Sequence, residues 1–220
     1  MKKLVIITFF IGLSFCAKAQ EKIEWGIKAG VGTSWAAFPK VFLQDANDGF
    51  NTWEIAPATN NVTFYVGAEM ILNIGKNHAI RTELAYNYVS GEVSVTEILT
   101  GEQVRKLQSY SRLAIPVLLM VKSNDSFWFS LGPNFYFNIG DNNGLVDAIA
   151  ELNPLPTIDA SFPFGVGVRL AADIRLQDNL YFEVKFDYDI GKHFDYIEDT
   201  DIYDVRMAMQ GLTGGLTYLF

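Results

Sequence analysis

Along this chain the hydrophobic residues recur at every second position, in eight separate segments that mostly run for about ten residues or more. A period of two sends successive side chains to opposite faces of a strand, so each segment has one apolar face and one face of another kind. Residues 180–191 are the clearest case, with Leu180, Phe182, Val184, Phe186, Tyr188 and Ile190 alternating with Tyr181, Glu183, Lys185, Asp187 and Asp189. The same pattern runs over residues 25–35, 62–73, 79–90, 104–122, 127–139, 160–174 and 212–220. Soluble strands average about five or six residues, whereas about nine to eleven are needed to cross a bilayer at a tilt. The lengths predict an all-β fold whose strands cross a membrane. Beyond residue 20 no stretch offers the roughly 18 consecutive apolar residues of a spanning helix.

The breaks between segments fall into two classes. Residues 75–78, 123–126 and 177–179 are tight, polar turns, while residues 38–61, 91–103, 140–159 and 192–201 are long connections. Short alternating with long is what an up-and-down antiparallel barrel produces, with turns on the periplasmic side and loops outside. The expected architecture is a transmembrane β-barrel of eight strands, or of ten if a long loop conceals two more.

Alternation alone does not say which face meets lipid, because a soluble barrel keeps its apolar face inward and its charges outside. The apolar face decides it. The 17 Phe, 10 Tyr and 4 Trp gather near strand ends, as interfacial girdles do, and the opposite face is rich in glycine, which would fill a ligand cavity poorly. With the apolar face on lipid, the lumen receives Lys28, Glu69, Arg81, Glu83, Arg112, Arg169, Asp173, Glu183, Lys185 and Asp187, and also Asp189. A one-residue slip of the seventh segment would turn its charges into hydrocarbon, at about 2–4 kcal/mol for a lysine at mid-membrane, so the pattern specifies a single register.

Residues 1–19 read as a secretory signal preceding a barrel domain over residues 20–220. Lys2 and Lys3 give the charged start, residues 4–15 the apolar run, and Ala17-Lys18-Ala19 the small-x-small cleavage site. Cys16 follows the apolar run as a lipidated cysteine does, but Phe15 stands where that processing requires a small residue. Cleavage removes the only cysteine, and with it any disulfide, thiol nucleophile or thiolate metal site in the mature chain. It also removes Lys2, Lys3 and Lys18, which deepens the formal net charge of −8 and argues against nucleic acid as a partner.

At the fourth and fifth segments the chain reads RLAIPVLLMVK, a short polar turn, then FWFSLGPNFYFNIG. This pairing, with Ile115-Pro116 in one strand and Gly132-Pro133 in the next, resembles the PorT-like outer-membrane β-barrel domain family. The resemblance implies the barrel fold and an outer-membrane location over residues 25–220; the secretion role behind the family's name is not carried over. Proline donates no ladder hydrogen bond, so Pro116, Pro133 and Pro163 are each expected at a bulge or a break in pairing.

An eight-stranded barrel is just wide enough inside for its own side chains, so the near-balanced inward charges predict a salt-bridged plug. The alternative is a narrow channel lined by Arg81, Glu83, Glu183 and Lys185. Catalysis finds little footing: His78 lies in an inner turn, and His193 stands beside Asp195 in a loop with no serine to activate. The acidic external loops, including Asp45, Asp48, Glu54, Asp141, Asp147, Glu151, Asp159, Glu198, Asp199, Asp201 and Asp204, lack a calcium-loop pattern and read as solvated surface. Phe50, Trp53, Phe194 and Tyr196 are either contact points for a partner or residues folded back on the rim. Leu216, Tyr218 and Phe220 resemble the C-terminal signal read by the outer-membrane assembly machinery. The reading is therefore a non-enzymatic outer-membrane barrel without cofactor or metal. Its partners are lipid, the assembly machinery, and an envelope protein or surface ligand at the external loops. A narrow channel and a secretion component are the alternatives.

Overall fold

The structure is a computed structural model that describes residues 23–38, 40–44, 52–152, 157–159, 163–190, 194–198, 201–205 and 208–220. Among the described residues the strands are β1 (Ile23–Ala37), β2 (Val41–Gln44), β3 (Thr52–Asn73), β4 (His78–Glu97), β5 (Gln103–Lys122), β6 (Phe127–Asn143), β7 (Thr157–Asp159), β8 (Phe164–Gln177), β9 (Leu180–Asp189), β10 (Phe194–Glu198), β11 (Asp201–Val205) and β12 (Ala208–Leu219), and a helix, α1 (Gly144–Leu152), lies between β6 and β7. Eight strands pair antiparallel in the order β1-β12-β9-β8-β6-β5-β4-β3, and β3 returns to β1 to close the ring. Closure leaves these eight without an unpaired edge inside the ring, which a membrane-spanning sheet requires.

The two faces fall as the alternation predicts. On β9, Phe182, Val184 and Tyr188 are exposed outward while Tyr181, Glu183, Lys185 and Asp189 are buried in the lumen. The outer wall is apolar all round, with Val31 66 % and Leu84 54 % exposed, a surface that lipid covers and water would not tolerate. Rings gather toward the wall's outer end, where Phe64 stacks on Tyr88 with centroids 5.3 Å apart and Phe137 meets Phe164 at 5.3 Å. At the inner end Trp25 and Phe127 are exposed and Tyr218 meets Phe220 edge-on at 5.7 Å.

Pro116 interrupts the ladders on both sides of β5 without changing register. Pairing lapses between Thr82↔Val117 and Ala85↔Ala114 on one side, and between Pro116↔Asn134 and Leu119↔Leu131 on the other, where Pro133 also lies. Pro163 stands just before β8, and its carbonyl accepts from the Asn138 backbone N–H at 2.9 Å.

Two of the connections expected to be loops are largely strand. β3, β4 and β5 continue past the ring, pairing from Trp53↔Glu97 and from Thr96↔Gln103, and β2 adds to the edge of β3. β1 accompanies β3 only as far as Ser34↔Asn61, and two register shifts lie between Pro57 and Phe64, so the sheet bends where it leaves the ring. The third connection contains α1. The fourth contributes β10 and β11, which join β7 in a separate three-stranded sheet and add nothing to the ring. One face of the extension, with Trp53, Ile55, Val93, Val95 and Val104, packs with Leu145, Ala148 and Ile149 of α1 and with Ala36 and Met209 from the rim. The helix therefore lies over the outer mouth of the barrel on a hydrophobic core of its own.

Candidate functional site

The lumen gathers the charged residues because each sits at an inward position of its strand, and the closed ring aims five strands' worth of them at one axis. Lys28 on β1 donates to Glu83 at 2.9 Å, to Glu183 at 2.5 Å and to Glu69 at 3.2 Å. Arg81 on β4 reaches Asp173 through Nη1 at 2.7 Å, Glu69 through Nε at 2.9 Å, and Glu183 through Nη2. Arg169 on β8 bridges Glu83 at 2.6 Å and Asp187, which it meets through Nε at 2.6 Å and Nη2 at 3.1 Å. The Tyr65 hydroxyl completes the cluster by donating to Glu183 at 2.9 Å. All are buried except Asp187, whose side chain keeps 20 % of its surface accessible.

Such a cluster is stable only as a set. Desolvating each ion is costly, and the mutual attraction offsets this only when the geometry satisfies every partner. Here Glu183 accepts from Lys28, Arg81 and Tyr65 together, which ties β1, β3, β4 and β9 across the axis. Glu69, Glu83 and Glu183 lie close enough to share a cation, but the Lys28 ammonium already stands among all three.

Glycine makes room for this packing. A Cβ at Gly30 would stand 2.5 Å from the Tyr65 ring, and one at Gly215 would stand 2.3 Å from its hydroxyl, so Tyr65 lies across a wall with no side chains of its own. The glycine-rich inward face is thus filled from the neighbouring strand, where Tyr65 is paired directly with Gly30, a packing that strand-by-strand reading did not anticipate. Tyr136 uses Gly165 in the same way.

Below the cluster, Ile71, Ala79, Met120, Trp128, Tyr181 and Leu219 form an apolar floor at the inner end, with the Trp128 and Tyr181 rings 4.3 Å apart. Above it the lumen changes character. Arg112 pairs with Asp189 at 2.7 Å and Asn138 at 3.1 Å, its guanidinium held between the rings of Tyr110 at 4.8 Å and Tyr136 at 4.3 Å. Lys185 has no ion pair among the described residues, and its ammonium faces the Tyr65 ring at 3.1 Å. Sequence reasoning placed the charges but missed Tyr65, Tyr110 and Tyr136, whose inward positions were the one available signal.

The remaining candidates sit apart from the lumen. His78 opens β4 and is exposed. Residues 1–19, Asp45, Asp48, Phe50, His193 and Asp199 lie outside the described residues. Trp53 is buried in the core under α1, so it is no exposed contact point. Glu54 pairs with Lys40 and Glu151 with Lys106, both at 2.6 Å on the surface. Leu216, Tyr218 and Phe220 all face outward at the inner end of β12, and the Phe220 backbone N–H donates to the Trp25 carbonyl at 2.8 Å.

The sequence model of a family described as an outer membrane protein beta-barrel domain matches residues 18–195. No curated protein matches the chain in sequence. Among solved structures, the outer membrane protein AlkL in lipid bilayers aligns with a TM-score of 0.53 and 9 % identity over 91 % of each chain. OprG from Pseudomonas aeruginosa aligns at 0.48 and 12 % identity, over 89 % of this chain and 95 % of its own. Ail of Yersinia pestis, solved with the heparin analogue sucrose octasulfate, aligns at 0.43 and 10 % identity, over 91 % of this chain and all of its own. The AlkL match is one of fold.

Proposed function

Since the chain belongs to the outer membrane protein β-barrel domain family and resides in the outer membrane, we propose that it is a closed, non-enzymatic barrel carrying a folded external head that contacts a surface ligand or another envelope protein. The observation that carries this reading is the cross-lumen cluster of Lys28, Arg81, Arg169 and their carboxylates, set between an apolar floor and the core under α1. Such a lumen supports a plug, and a plugged barrel acts through what it displays. The head displays Ile98 and Leu99, 50 % and 62 % exposed at the tip of the β4–β5 hairpin.

On this reading Leu216, Tyr218 and Phe220 serve the assembly machinery, residues 1–19 direct export, and the PorT-like likeness bears on fold and location alone. The test is binding of the refolded mature chain to envelope fractions. Replacing Ile98 and Leu99 together by serine is expected to weaken binding while leaving the barrel folded and heat-modifiable. Unchanged binding by the double variant contradicts the display role of this tip.

A further inference from the structure

We propose that the inner mouth of the barrel binds a phosphate group, free in solution or carried on a lipid headgroup. A cavity of about 310 Å³ opens there, lined by Lys76 of the β3–β4 turn, Lys122, Asn124 and Asp125 around the β5–β6 turn, and Arg175 near the end of β8. That volume lies at the small end of ligand pockets and suits a small anion. Trp128 and Tyr181 also line it, and both belong to the apolar floor, so the floor stands between this cavity and the central charge cluster.

The side chains around the cavity hold more donors than they use. Lys76 has no ion pair among the described residues. Lys122 donates to Asn73 at 2.8 Å and its ammonium faces the Trp128 ring at 4.4 Å, while Glu24 stands 3.6 Å off. Arg175 donates through Nη2 to Asp178 at 2.8 Å and through Nε to the Gln177 carbonyl at 3.3 Å, which leaves Nη1 for a further acceptor. Asn124 accepts the backbone N–H groups of Ser126 and Phe127 on its Oδ1, both at 2.8 Å, and its amide nitrogen is left to donate. Three cations thus line the cavity against the single carboxylate of Asp125, in a chain whose formal net charge is −8. An anion suits this lining, and a cation or an apolar guest does not. The donors come from two turns and a strand end on different sides, more than the two coplanar oxygens of a carboxylate can meet, whereas a phosphate group presents strong acceptors in several directions.

The inference concerns the end of the barrel away from α1 and does not depend on whether the lumen is closed. The experiment uses the refolded barrel, residues 20–220, in maltoside micelles, which carry no phosphate, at constant ionic strength set by chloride. Inorganic phosphate and a short-chain phosphatidylglycerol are titrated separately, observed through the Trp128 indole and the Asn124 side-chain amide by nuclear magnetic resonance. Saturable shifts are expected at both groups and none at the Trp35 indole near the outer end. Shifts with inorganic phosphate identify a free anion as sufficient, and shifts with the lipid alone identify the headgroup as the source. Lys122→Met, which keeps the stem against Trp128 and removes the charge, is expected to weaken binding about tenfold, and Lys122→Arg to restore most of it. Lys76→Ser, at an exposed turn position, is expected to weaken it about two- to fivefold and reads the same site should Lys122→Met not reach the heat-modifiable form. No saturable shift with either probe, the same shifts with chloride alone, or affinities that the folded variants leave unaltered overturns the proposal.

Discussion

The inner and outer halves of the lumen are built by the same eight strands with the same alternation, yet they solve the problem of buried polarity differently. In the inner half, long charged side chains meet across the axis, and Glu183 alone accepts from three groups. In the outer half, inward positions are often glycine or alanine, and Lys185 Nζ, Asn87 Oδ1 and Asn134 Oδ1 have no hydrogen-bond partner among the described residues. The strand pattern decides which residues face inward; the length of those residues decides whether they satisfy one another.

The largest expected effect breaks the inner half. Glu183→Ala leaves Lys28 and Arg81 short of counter-charge in a buried site and is expected to destabilise the barrel by about 3–5 kcal/mol, read as a lowered unfolding midpoint in lipid. Next comes a control on the outside of the same strand. Val184→Lys, pointing into lipid near the middle of β9, is expected to cost about 2–4 kcal/mol, whereas a residue facing water would tolerate it. Gly165→Val pushes against the Tyr136 ring and, through it, Arg112, and should cost about 1–3 kcal/mol by overpacking. The smallest loss belongs to the outer half: Thr213→Val removes a buried hydroxyl that has no hydrogen-bond partner among the described residues, and its unfolding midpoint is expected to hold or to rise, by up to about 1–3 kcal/mol, rather than fall. If Thr213→Val destabilised the barrel as much as Glu183→Ala, the two halves would not differ as described.

The ring was legible because lipid and lumen are opposite environments that impose a period of two on every strand, and Glu183, Lys185 and Asp187 could face only one way. The extension of β3, β4 and β5 was not. Val93 and Val95 do alternate with polar residues, but Ser, Thr, Glu and Gly surround them, and what makes them strand is the cover that α1 supplies from far along the chain. The helix itself carried a readable signal, with Leu145, Ala148, Ile149 and Leu152 at helical spacing, masked by the expectation of a loop. Within the lumen the charges were readable one strand at a time. Their pairing was not, because Lys28 to Glu183 or Arg169 to Glu83 depends on closure of the whole ring.

The account's central claim, a lumen closed by its own side chains, is tested most directly by single-channel recording of the refolded barrel, residues 20–220, in planar bilayers, after a gel shift on heating has established the folded barrel. Silence at all voltages that the bilayer withstands is the predicted result. Steady, reproducible conductance steps that change when Arg81 or Glu183 is replaced would contradict it and make the central cluster a selectivity filter.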